Sequence, residues 1–120
     1  MKSAFFPAAL CLALATGAAS ARDAGSALDG CVELGSGHSI VRQNDQQFFL
    51  KNGEQHYRVA LSGACNGLSI ASRIQISSDG EENRLCPTGS KIKTNRDTCR
   101  IGEVTLVDAD EFARRARMRR

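Results

Sequence analysis

Five cysteines punctuate this 120-residue chain, and four of them, Cys31, Cys65, Cys86 and Cys99, lie beyond an N-terminal stretch that reads as an export leader. An even cysteine set in a short exported chain is the arithmetic of two disulfides. Zinc is the competing use of four thiols, but structural zinc sites draw ligands from close pairs such as Cys-x-x-Cys. Here the cysteines are spaced 34, 21 and 13 positions apart. Four cysteines allow three pairings. The expected arrangement is Cys65–Cys86, tying the centre of the chain, with Cys31–Cys99 fastening the lead-in to the last strand.

The leader has three parts. Met1-Lys2-Ser3 gives a positive start, Ala4 to about Ala15 an apolar run, and Ala19-Ser20-Ala21 the small residues that signal peptidase inspects. Cleavage is expected between Ala21 and Arg22, and Cys11 would leave with the leader. The apolar run is too short to cross roughly 30 Å of hydrocarbon as a helix, and Pro7 interrupts it. The rest of the chain holds no stretch long enough to span a membrane. The predicted product is therefore periplasmic or secreted. It divides into a disulfide-fastened β domain over 22–107 and a short basic helix or tail over 108–120.

With residues 1–21 gone, 99 remain, with no Trp, one Tyr and three Phe. A core with so few large side chains gains much from cross-links, each worth about 2–4 kcal/mol against a total stability of about 5–15 kcal/mol. Charge is uneven. Residues 22–107 carry ten basic and ten acidic side chains, whereas 108–120 carry five arginines, Arg114, Arg115, Arg117, Arg119 and Arg120, against three acids. That tail is a candidate contact for an anionic surface, weighed against a solvated terminus. No aromatic residue interleaves with the arginines to stack bases, so specific nucleic-acid binding is not expected.

Short strands dominate the rest. Arg22 to Gly37 reads as a loose lead-in, and His38 to Arg42 as a first strand. Gln46 to Lys51 and Glu54 to Leu61 flank Asn52-Gly53, which suits a two-residue turn with positive φ at both positions. That turn pairs Lys51 with Glu54, Phe49 with His56, Phe48 with Tyr57 and Gln47 with Arg58. It puts Phe48, Leu50, Tyr57, Val59 and Leu61 on the core face. Ile70 to Ser77 alternates, with Ile70, Ile74 and Ile76 inward. Ser78 to Asn83 is a polar loop, Arg84 to Pro87 and Ser90 to Lys93 are short extended pieces, and Thr98 to Val107 is a last strand with a bulge at Gly102. Asp108 is an acidic N-cap with Glu111 three residues on, opening a helix that docks by Phe112. The fold class is all-β, mainly antiparallel: a small barrel-like or curled sheet with two disulfides and a short C-terminal helix.

Chemistry-bearing motifs are sparse. His38 and His56 have no carboxylate or thiol at motif spacing, and Ser62, Ser69 and Ser72 lack a nucleophile signature. Asp79, Glu81 and Glu82 lack the ordered spacing of a calcium loop. No metal, cofactor or catalytic residue is expected.

Tyr57-x-x-x-Leu61-x-x-x-Cys65-x-x-Leu68, together with Cys31, Leu85-Cys86, Cys99-x-x-Gly102 and Asp108-Ala-Asp-Glu111, resembles a family of short exported bacterial proteins known only as a domain of unknown function. The resemblance covers most of residues 31–112, although Pro87-Thr88-Gly89-Ser90 stands where the family pattern has a Gly-Asp pair. It implies export, two disulfides and a compact β domain, and transfers no catalytic residue. The reading that follows is a non-enzymatic binding domain with an unknown partner in the cell envelope. Its alternatives are a protease inhibitor or stress-related interaction protein presenting Ser78–Asn83, and a small enzyme using His56.

Overall fold

The computed structural model describes residues 24–118. The leader, Cys11, Arg119 and Arg120 lie outside the described residues. Among the described residues, nine strands precede one α-helix: β1 Val32–Glu33, β2 Ser39–Arg42, β3 Gln47–Asn52, β4 Gln55–Leu61, β5 Ile74–Ser78, β6 Glu81–Glu82, β7 Arg84–Leu85, β8 Ser90–Thr94, β9 Thr98–Val107 and α1 Ala109–Met118. Seven strands form one antiparallel sheet in the order β2-β3-β4-β9-β8-β5-β6, curled into a half-barrel, and β1 pairs separately with β7.

Ten-residue β9 organises the sheet. Its first three residues, Thr98–Arg100, pair with β8, and Ile101 to Val107 pair with β4. Where β8 ends, the lead-in takes the vacated edge: Leu106 accepts the Gly25 N–H at 2.6 Å and donates to Ser26, and Leu28 donates to Val104. The segment expected to be loose is thus partly extended chain against the sheet, because an edge that enters the core region must find backbone partners. The bulge falls at Gly102, where pairing steps from Ala60↔Glu103 to Leu61↔Ile101.

The β3–β4 hairpin corrects the expected register. Asn52 opposes Gln55, so Gly53-Glu54 is the turn, with positive φ at Gly53. Lys51 therefore faces His56, Phe48 faces Val59, Phe49 faces Arg58 and Gln47 faces Ala60. Asn52 stays in the strand because its side chain is committed to the lead-in. Its amide donates to the Glu33 carbonyl and its Oδ1 accepts the Gly35 N–H. Moving the turn by one residue shifts each partner by two, which preserves sidedness. Phe48, Leu50, Tyr57, Val59 and Leu61 are accordingly all buried in the core, with Leu68, Ile76, Leu85, Ile92, Ile101 and Val104.

Phe49 points to the opposite face yet is fully buried. Helix α1 covers it, with Arg115 stacked on its ring at 5.3 Å. Phe112 is the helix's buried residue, and Asp108 caps the N-terminus by accepting the Glu111 N–H at 2.8 Å.

Two further expectations are corrected. The disulfides are Cys31–Cys86 and Cys65–Cys99, not Cys65–Cys86 and Cys31–Cys99. The β1–β7 pairing, Val32↔Leu85, sets Cys31 beside Cys86, while Cys65 follows β4 and β4 runs alongside β9, which carries Cys99. Ile70 lies not in an inward strand but in a 3₁₀ turn, Leu68–Ile70, and is 72 % exposed. Gly67, at φ 86°, starts that turn, and Asp45 holds it by accepting the Ser69 N–H and, through its carbonyl, the Cys65 N–H.

Candidate functional site

The four cysteines are brought together in two bridges that serve the architecture. Arg114 and Arg117 are exposed, whereas Arg115 is turned inward, 3.4 Å from Glu111 and stacked on Phe49. The expected basic cluster is thus divided within the described residues: one of its charges is spent on docking the helix.

His56 faces Lys51 on one side and Val107 on the other. Its ring lies 5.2 Å from that of Phe112. Burial holds its pKa below the ordinary imidazole value, Lys51 adds to the lowering, and Asp108 and Glu54 oppose it. The ring thus packs against the helix through Phe112. His38 is half-buried and bonds through Nδ1 to the Gly35 carbonyl at 2.7 Å. Asp79, Glu81 and Glu82 belong to the β5–β6 hairpin, which reverses over Asp79-Gly80 with positive φ at both. The Ser78–Asn83 segment is therefore a tight turn and short strand, not an extended loop. Among the described residues, no group of three or more His, Cys, Asp and Glu could hold a metal ion.

Two features escaped the sequence reading. One is a buried polar cluster beside Cys86. Ser78 Oγ donates to the Arg84 carbonyl and bonds to Ser90 Oγ, and Ser90 Oγ accepts the Cys86 N–H at 2.8 Å. The signal was present in the inward phase of Ser90, Ile92 and Thr94 along β8.

The other is an open cleft of about 490 Å³ between the lead-in and the sheet. Ser26, Asp29 and Gln55 give it polar groups, and Leu28, Tyr57 and Leu106 apolar ones. The Cys31–Cys86 bridge, the β1–β7 pair and the Arg84–Glu33 ion pair at 3.6 Å fix the lead-in that forms its wall. Apolar surface with a few convergent polar groups is the ordinary composition of a ligand cleft. Nothing local marks it in the sequence, because the lead-in wall meets Gln55 and Tyr57 from β4 and Leu106 from β9, all distant in the chain.

Fold and site together define a small disulfide-fastened antiparallel β domain with a covering C-terminal helix. The chain belongs to a family of unknown function (DUF6491), whose model matches residues 1–120. No curated protein and no solved structure matches it. Two disulfides suit an oxidising, extracellular-type environment, and among the described residues no helix is long and apolar enough to cross a membrane.

Proposed function

We propose that the protein is a non-enzymatic binding domain of the cell envelope, exported by cleavage near Ala21-Arg22 and acting in the periplasm or after release. The observation that carries this reading is the cleft walled by the lead-in. Its rim is fastened covalently through Cys31–Cys86, so it is held open in advance and a ligand entering it loses little to ordering the protein. A contact with an anionic surface through the exposed Arg114 and Arg117 is a second, weaker element of the same reading.

The test is a titration of the isotopically labelled full chain with purified envelope components, followed by amide NMR. Saturable shifts centred on 27–32 and 55–57, without conversion of the added component, support the reading. Turnover of an envelope substrate, abolished by a single side-chain change, refutes it. Should the arginines add surface affinity, R114Q/R117Q lowers binding to anionic vesicles at low salt, whereas unchanged binding removes that element.

A further inference from the structure

On the outer face of the sheet, far along β8 and β9 from the lead-in cleft, Lys91 and Arg100 stand directly opposite one another. Directly opposed like charges on an antiparallel pair destabilise it, and both side chains are exposed. The ion pairs among the described residues, Arg84–Glu33 and Arg115–Glu111, involve neither. Acids elsewhere on the sheet, Glu82, two strands over beyond Ser77, and Glu103, past the bulge, form no ion pair with them.

The two cations open into a cleft of about 480 Å³ that Ser62, Thr88, Gly89 and Gly102 also line. No acidic side chain lines it. The chain bends at Pro87-Thr88-Gly89, with Gly89 at φ 82°. The Thr88 and Gly89 N–H groups have no acceptor among the described residues. Ser62 donates its N–H to the Arg100 carbonyl and lines the cleft beside Gly102. Gly102 keeps the floor low, since a Cβ there would lie 3.3 Å from the Ser62 backbone.

A guanidinium fork, an ammonium, hydroxyls and unpaired N–H groups around one concavity match a tetrahedral oxyanion with several acceptor oxygens. We propose that Lys91 and Arg100, with Ser62 and the Thr88-Gly89 bend, form a binding site for a phosphate monoester group. The group is either free in solution or displayed on a lipid headgroup. The site is distinct from the lead-in cleft and does not rest on the reading of that cleft.

The experiment is amide NMR of the full chain titrated in two arms, inorganic phosphate and vesicles of phosphatidylcholine doped with phosphatidic acid, alongside K91Q/R100Q. Both replaced side chains are exposed, so the variant's unperturbed core amides certify its fold. The expected result is saturable shifts at Thr88, Gly89, Lys91 and Arg100, weakened at least tenfold in K91Q/R100Q, with the arm that saturates more tightly naming the source. Affinity unchanged by K91Q/R100Q, shifts confined to α1, or no saturable shift in either arm overturns the proposal.

Discussion

Ser90 shows how much one side chain can carry in a core this small. The residue is 2 % exposed, and its hydroxyl accepts the Cys86 N–H next to a disulfide. Replacing it with Ala orphans that N–H and removes a partner of Ser78. A buried donor left unmade costs about 1–3 kcal/mol, so S90A should lower the unfolding free energy by that amount, read as a lower urea midpoint with an unchanged slope. His56 makes the second residue-scale case. Its folded pKa lies below the ordinary value of 6.5, so the unfolded chain binds this proton more readily. Its contribution favours folding above about pH 6.5 and is lost as pH falls through the unfolded value toward the folded one. Lys51 reinforces that direction, and Asp108 and Glu54 blunt it. Urea midpoints measured at pH 7.5 and 5.5 should therefore fall more for the wild type than for H56Q. Equal falls would show that the ring is not desolvated by α1.

Elements were legible where the signal is local. Thr98–Val107 and the capped helix stand where alternation and Asp108 put them, because period and caps are encoded within a few residues. The hairpin turn was off by one position because Asn52 is recruited by Glu33 and Gly35, some seventeen to nineteen residues away. Ile70 was misread for a similar reason: the Cys65 bridge and Asp45 wind its segment into a 3₁₀ turn. Phe49 looked outward-facing, and so it is, but periodicity along β3 does not announce the helix that covers it. Gly102 combines both kinds of signal. Its bulge was readable, while the tight approach of Ser62 across the step was not: a Cβ at Gly102 would lie 3.2 Å from the Ser62 hydroxyl and 3.3 Å from its N and Cα. G102A requires Ser62 to give by a few tenths of an ångström and should cost about 1–3 kcal/mol, read as a lower thermal midpoint with native far-UV circular dichroism retained below it.

At the scale of the whole molecule, pairing of the cysteines was beyond the sequence because it depends on which strands become neighbours. Cys31 meets Cys86 only because β1 lies on β7, and Cys65 meets Cys99 only because β4 lies on β9. Non-reducing peptide mapping should recover those two links. Chain separations of 55 and 34 residues give each bridge a loop-closure effect of about 4 kcal/mol, so chain entropy barely distinguishes them. Their positions do. Cys65 is buried in the main core, with Cys99 packed against it, and their bridge ties the segment after β4 to β9. Cys31 is exposed and its bridge holds the lead-in. C65S/C99S should then unfold cooperatively at lower denaturant, with every strand losing hydrogen-exchange protection together. C31S/C86S should instead lose protection first at the lead-in bonds, the Leu28 and Leu106 amides, while β3–β4 amides stay protected. The lead-in forms one wall of the cleft, so the same variant should also lose ligand shifts at 27–32. Uniform loss of protection in both variants would show that the lead-in is integral to the sheet's cooperativity, and that the bridge does more than hold the cleft open.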